Sequence, residues 1–189
     1  MRTIDLQRLF CLLFFLIIYL FNAIVIAKTV KTIGAIIIES GDEDGVWLEE
    51  KKRATIDKRL GFKHEIISGG HLGEPYADAK VTVRPEISHK DPTAAFIFKK
   101  TVEKPYLYFK RTGKKPGDVG KKENQKMKEL IESESQRIYM ILKDWIKKEK
   151  IDLIVPQNSS TIPVHIPLGV AIKRLIDDAS STAYQLEIS

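Results

Sequence analysis

The sequence predicts an α/β fold in which helices cover both faces of a parallel β-sheet. Three observations indicate it: short runs rich in isoleucine and valine, charged stretches with helical periodicity, and glycine-bearing loops between them. The short runs are apolar throughout, which is typical of strands that are buried on both faces. We therefore expect a Rossmann-like, doubly wound parallel sheet.

The first strand, helix and strand form a predicted βαβ unit. Residues 32–39 are an isoleucine-rich run that ends in an acidic, glycine-bearing loop at residues 40–45. Residues 46–60 have a helical pattern, and Gly61 is expected to end that helix. Residues 64–68 predict the second strand. The expected apolar contacts of the helix are Val46, Leu48, Ala54, Ile56 and Leu60.

The middle of the chain has weaker patterns. Residues 81–83 predict a short extended piece, and residues 94–98 are apolar. Residues 99–126 contain ten Lys or Arg against three acids, together with several glycines. We expect a mobile basic loop there. It is either a solvated linker or a surface that contacts phosphates or anionic lipid headgroups.

The C-terminal part predicts a second alternation of helix and strand. Residues 124–150 carry apolar side chains at three- and four-residue spacing, which we expect to face the core. A buried strand is expected at residues 151–155, followed by a polar loop at residues 156–163. A further helix at residues 166–177 has Pro167 in its first turn, where proline is well tolerated.

The N-terminal segment is an almost unbroken apolar run over residues 9–27. It reaches the length of about 20 residues that a helix needs to cross a bilayer core. It predicts an uncleaved anchor, a signal peptide cut before Lys28, or a start assigned too far upstream. The apolar core of a signal peptide usually has only about 7 to 15 residues, which favours the anchor. We thus divide the chain into residues 1–27 and a folded domain at residues 28–189.

The net charge and the number of cysteines bear on the partners of the protein and on the compartment in which it lies. The formal net charge of +6 suits an anionic surface or substrate, or simply a lysine-rich solvated face. The only cysteine, Cys11, permits no intrachain disulfide, which fits a reducing compartment. We expect a membrane location with a single N-terminal anchor and the domain at the cytoplasmic face. Export after signal-peptide cleavage is the alternative.

Several catalytic motifs are missing from the sequence. There is no Ser-His-Asp set and no Walker loop. There is also no GxGxxG, and its absence argues against an enzyme that uses a nicotinamide cofactor. His64, His71 and His89 lack metal-ligand spacing, so we interpret them as surface or turn residues. We expect no metal, no cofactor and no nucleic-acid partner.

Two segments, over about residues 32–177, carry a resemblance to a known family. The first, GDEDGVWLEEKKRATIDKRLGFKHEIISGG, is similar to the opening βαβ unit of GT-B glycosyltransferases of the family 4-like group. Its matching residues are Asp44, Gly45, Val46, Leu48, Glu49, Leu60, Gly61 and His64. The second, DLIVPQNSSTIPVHIPLGVAI, resembles the asparagine loop and helix start of the family. Its matching residues are Asn158, Ile162, Pro163, Ile166, Pro167, Leu168 and Gly169.

The resemblance implies the N-terminal, acceptor-side domain of a retaining sugar-nucleotide glycosyltransferase, with the C-terminal domain missing from this sequence. Gly41, Asp44 and Gly45 would form a loop near the donor phosphates, although the acidic residues at 42–44 make the local field negative. Asn158 and His165 would contact the acceptor. No catalytic residue is assigned.

The implied partners are a nucleotide-sugar donor, a sugar or phosphorylated acceptor, an anionic membrane surface and the missing domain. A chain of this kind is expected to be inactive alone. The alternative is a non-catalytic, membrane-anchored module that binds sugar or phosphate in the same cleft.

Overall fold

The computed structural model describes residues 31–41, 45–72, 78–113, 121–157 and 163–186 of the chain. These residues form an α/β fold around a four-stranded parallel sheet, which confirms the predicted fold class. The elements in chain order are β1 (Thr32–Ile37), β2 (Ser40–Gly41), α1 (Gly45–Arg59), β3 (Lys63–Ser68), β4 (His71–Leu72), β5 (Lys80–Val83), α2 (Pro92–Phe98), α3 (Lys104–Thr112), α4 (Lys121–Glu149), β6 (Leu153–Gln157) and α5 (Ile166–Leu186).

The strand order in the sheet is β5-β3-β1-β6. The chain leaves β1 towards β3 on one side and returns to the other side of β1 with β6. The point at which the strand order reverses therefore lies between β1 and β6, whose last residues Ile37 and Gln157 are register partners. A second, two-stranded parallel pair joins β2 to β4 directly after β1 and β3.

Both faces of the sheet are covered, as a doubly wound sheet requires. Successive side chains of a strand point to opposite faces. Ala35 and Ile37 pack with Trp47 of α1 on one face, whereas Ile36 and Ile38 belong to the larger core on the other. The helical side chains of that larger core come from α4 and α5: Ile138, Tyr139, Leu142, Trp145, Leu168, Ala171 and Ile172. The apolar stripe predicted for α4 is thus confirmed as core from Ile138 to Ile146.

Helix α1 faces the sheet with different residues from those expected. Leu48, Ile56 and Leu60 are exposed, so the predicted apolar face is wrong for these three positions. The buried positions of α1 are instead Trp47, Glu50, Ala54 and Asp57. Two carboxylates can lie on the buried face because a histidine of β3 lies between them.

Residues 99–112 are helical, so the prediction of a mobile loop is wrong for them. The Asp91 side chain accepts hydrogen bonds from the backbone N–H groups of Thr93 and Ala94 and begins α2. A π-helical turn at Lys99–Glu103 then joins α2 to α3. Helix α3 ends at Gly113, whose positive φ of 66° suits a residue without a Cβ.

The predicted anchor or signal peptide at residues 1–27 lies outside the described residues. Within the described parts of the chain, no helix is both long enough and apolar enough to cross a bilayer. The membrane location stays a prediction.

Candidate functional site

The candidate site lies at the carboxyl ends of β1 and β6. Open α/β sheets bind ligands in the crevice outside their carboxyl edge, where the strand order reverses. Here the chain leaves β1 towards Gly41 and Gly45, and leaves β6 towards α5. The register pair Ile37 and Gln157 brings these two exits to the same edge of the sheet.

The glycines of the predicted phosphate loop occupy defined positions. Gly41 lies in β2 and pairs with Leu72. Gly45 is the exposed first residue of α1, and a Cβ built on it would meet nothing within 4 Å. The first turn of α1 contains no acidic residue, and its backbone N–H groups favour an anion, although three acids precede it in the sequence at residues 42–44. Asp44, the third residue of that predicted loop, lies outside the described residues, so its role stays a prediction.

His165 is buried immediately before α5 and is only 1% exposed. Its Nδ1 accepts a hydrogen bond from the Leu168 N–H at 3.2 Å, and its Nε2–H donates to the Glu86 carbonyl oxygen at 3.0 Å. Burial lowers the pKa of His165, although the Glu86 carbonyl partly opposes that shift. The ring is therefore neutral and ties α5 to the turn after β5. An acceptor contact by His165 stays a prediction, and it requires one of these hydrogen bonds to break.

Asn158, the other predicted acceptor contact, lies outside the described residues. Its neighbour Gln157 is the last residue of β6. The Gln157 Nε2 atom is buried, and no group among the described residues accepts its hydrogen bonds. Leaving such a buried donor without a partner costs about 1–3 kcal/mol. A ligand hydroxyl at the carboxyl edge would satisfy it.

A charged cluster at the same edge escaped the sequence interpretation. Glu39 follows β1, and its Oε2 lies 2.8 Å from Nδ1 of His89. The other oxygen of Glu39 lies 2.6 Å from Nζ of Lys90. The Glu39 side chain is mostly buried, whereas His89 and Lys90 are well exposed. His89 is thus a surface residue as predicted, but it has a carboxylate partner that its position in the sequence did not reveal.

Two glycines after β3 allow this cluster to form. A Cβ on Gly69 would clash with the backbone of Ser88 and with the Ile38 carbonyl oxygen. A Cβ on Gly70 would lie 3.4 Å from Oε1 of Glu39. The glycine pair therefore lets the turn that carries His89 approach the end of β1. The adjacent glycines at the end of a strand were the available sequence signal for this close approach.

A second polar cluster lies at the opposite, amino-terminal edge of the sheet. His64 has its Nδ1 at 2.7 Å from Asp57 Oδ2 and its Nε2 at 2.7 Å from Glu50 Oε1. All three residues are buried, so the interpretation of His64 as a surface or turn residue is wrong. Burial alone would lower the pKa of His64, but the hydrogen bonds and charges of Glu50 and Asp57 outweigh it and raise the pKa.

Comparisons of the chain with protein-family models, with curated proteins and with solved structures found no match. Within the described ranges, no three His, Cys, Asp or Glu side chains are arranged to hold a metal ion. The functional interpretation therefore depends on the carboxyl-edge geometry and on the motifs of the sequence.

Proposed function

We propose that the chain is the acceptor-side domain of a sugar-nucleotide-dependent GT-B glycosyltransferase. The observation that carries the proposal is the buried Gln157 Nε2 donor at the point where the strand order reverses. Gln157 lies within the second segment that resembles that family, directly before Asn158. A polar group that lacks a partner at a ligand-binding edge is expected to receive one from the ligand.

The nearby groups suit a sugar that carries an anionic substituent. Glu39 accepts hydrogen bonds from hydroxyls, and the Lys90 ammonium and His89 imidazole can turn to a phosphate. The N-terminus of α1 at Gly45 offers backbone N–H dipoles to the donor diphosphate. In this proposal Asn158 contacts the acceptor and Asp44 lies in the donor loop, as the resemblance implies. A second Rossmann-like domain would hold most of the donor.

The contribution of these residues to transfer is binding and orientation. Holding the acceptor hydroxyl in a fixed direction towards the donor sugar removes the entropy cost of bringing two reactants together. A module that only binds sugar or phosphate would use the same groups without transfer. The two functions therefore differ in turnover and agree in ligand binding.

The test is calorimetric titration of the full chain in micelles of a sugar-free detergent. The ligands are glucose, glucose 6-phosphate, UDP-glucose and GDP-mannose. The Gln157→Met variant removes the buried donor at similar volume. We expect saturable binding of at least one sugar ligand and an affinity about tenfold lower in the variant, which corresponds to about 1.4 kcal/mol.

The matched control is Gln136→Met on α4, where the amide oxygen of Gln136 accepts a hydrogen bond from Arg174 and has no part in the proposed site. This variant should bind like the unmodified chain. Binding with transfer of labelled sugar supports the enzyme, and binding without transfer supports the non-catalytic module. No binding of any of the four ligands contradicts both.

A further inference from the structure

Helix α3 has no buried side chain. Its exposed residues include four large apolar or aromatic ones, Tyr106, Leu107, Tyr108 and Phe109, which are between 39% and 59% exposed. Phe96 of α2 is a fifth exposed aromatic residue nearby in the chain. A concentration of exposed large apolar side chains in one short segment favours an interaction site.

The same segment carries an excess of positive charge. Five exposed cationic side chains, Lys99, Lys100, Lys104, Lys110 and Arg111, accompany a single acid, Glu103. Many lysines elsewhere in the fold pair with carboxylates, for example Lys58 with Asp78 and Lys80 with Glu149. Within the described residues, none of the five cations on this segment forms an ion pair. Lys100 lies over the ring of Phe96, with its Nζ 5.7 Å from the ring centroid. The charges of all five cations remain open to an anionic partner.

The two kinds of residue are interspersed around α3. At about 100° per residue, Tyr106 and Phe109 point to one side of the helix and Lys104 and Arg111 to the other. Leu107 and Tyr108 lie on the side of Lys104 and Arg111, and Lys110 lies beside Tyr106. Long basic side chains can extend their charged ends along the flanks of such a helix. Exposed aromatic residues with lysine and arginine around them suit a helix that lies in a membrane interface, here with Tyr106 and Phe109 towards the acyl chains.

We propose that α3, together with the π-helical turn and Phe96, docks on the headgroup region of an anionic lipid bilayer. Charge complementarity supports this occupant, since each lysine or arginine near an anionic leaflet strengthens binding. The apolar run at residues 9–27 of the same chain is long enough to hold the domain beside a bilayer. The proposal is independent of the proposed glycosyltransferase function.

The experiment is hydrogen exchange on the full chain reconstituted into vesicles, with peptides that cover residues 96–112. One vesicle set is phosphatidylcholine alone, and the other contains about 30% phosphatidylglycerol, which supplies the negative surface potential. We expect exchange of these amides to slow about tenfold in the anionic vesicles relative to the neutral ones. About 0.5 M salt should abolish the difference, because it screens surface charges within a few ångströms.

Two variants separate the charge from the apolar contact. The triple variant Lys104→Glu, Lys110→Glu and Arg111→Glu should lose the slower exchange. Its matched control reverses three exposed lysines on other helices, Lys52→Glu, Lys128→Glu and Lys147→Glu, and should keep it. The variant Tyr106→Ser with Phe109→Ser should also lose it, because insertion of the rings is removed.

Three results would overturn the proposal. The first is equal exchange rates in neutral and anionic vesicles. The second is that the triple variant and its matched control lose the slower exchange in anionic vesicles to the same extent. The third is that, in detergent micelles without lipid, these amides exchange more slowly as the protein concentration rises. That result would indicate that a second copy of this chain covers α3.

Discussion

Two buried histidines at opposite edges of the sheet have pKa values that are shifted in opposite directions. His64 at the amino-terminal edge lies between two carboxylates, and its pKa is raised. His165 at the carboxyl edge lies between a backbone N–H and a backbone carbonyl, and its pKa is lowered. Both rings are at most 3% exposed, so burial does not distinguish them. The hydrogen-bond partners of each ring therefore decide the direction in which its pKa is shifted.

The comparison also shows where the fold tolerates ionic groups. The Glu50–His64–Asp57 cluster joins α1 to β3 with ionic hydrogen bonds, whereas His165 forms its hydrogen bonds with neutral backbone groups. A buried ionic group is strongly coupled to its partners, and removing one partner leaves the others without compensation. The neutral ring loses only its own hydrogen bonds. We therefore expect the same substitution to have unequal effects at the two positions.

The largest effect is expected for His64→Leu. The change removes the cation between Glu50 and Asp57 and should lower the free energy of unfolding by about 3–5 kcal/mol. Urea unfolding of the full chain in micelles measures it through the fluorescence of Trp47 and Trp145, which are both buried. Adding Glu50→Leu and Asp57→Leu should recover much of the loss. A cost below about 1 kcal/mol for the single change would contradict an ionic cluster.

A smaller effect is expected for His165→Leu in the same assay. The substitution leaves the Leu168 N–H and the Glu86 carbonyl without their side-chain partner. The expected loss is about 1–3 kcal/mol, because two neutral hydrogen bonds are removed and no charge is stranded. A cost as large as that of His64→Leu would show that the two histidines are equivalent and would break the comparison.

The pH dependence of stability should have two limbs of opposite sign. For His64, whose folded pKa is raised, the stabilisation is complete below the unfolded pKa of about 6.5 and is lost as pH rises through the folded pKa. For His165, whose folded pKa is lowered, stability is complete above about 6.5 and is lost as pH falls towards the folded pKa.

Unfolding at a series of pH values measures both limbs, and proton NMR of the four histidine rings assigns them. The charged groups facing His64 are Glu50 and Asp57, and those that act on His165 are Asp91 and His89. His64→Leu should flatten only the alkaline limb, and His165→Leu only the acidic one. An alkaline limb that persists without His64 would assign it to another group.

The smallest effect on stability is expected for His89→Ala. The His89 ring is 45% exposed, and the mostly buried Glu39 carboxylate keeps Lys90 as a partner when His89 is removed. Exposed ion pairs contribute about 0–1 kcal/mol, so the unfolding curve should barely move. Binding of glucose 6-phosphate should nevertheless weaken, since a donor at the proposed site is lost. A large loss of stability with unchanged binding would make His89 a structural residue.

The elements with strong periodicity were predictable from the sequence. The strands around Ile36 and Ile66 are apolar because both faces of the sheet are covered, and the stripe through Ile138 and Leu142 forms the larger core. These patterns follow from local spacing alone. They were sufficient to predict a parallel sheet, but the order of its strands is known only from the structure.

The sequence predictions were wrong in two situations: where polar side chains are buried, and where a helix is rich in charged residues. Glu50 and Asp57 lie seven residues apart on α1, and only the partner from β3 makes their burial possible. The lysines around Tyr106 and Phe109 suggested a loop, although Gly113 is a usual end for a helix. At the site, Glu39 and His89 are 50 residues apart in the sequence, and no local pattern joins them.

The π-helical turn at Lys99–Glu103 sets the angular phase of α3. A π turn holds one residue more than an α turn, and each residue advances the helix by about 100°. Deleting one residue of this turn would convert it to an ordinary turn and rotate every later side chain of the helix by that angle. Tyr106 and Phe109 would then point in a new direction while the sheet and its two edges stay unchanged. One inserted residue thus sets the direction in which the aromatic side of α3 faces, and evolution could reset it in a single step.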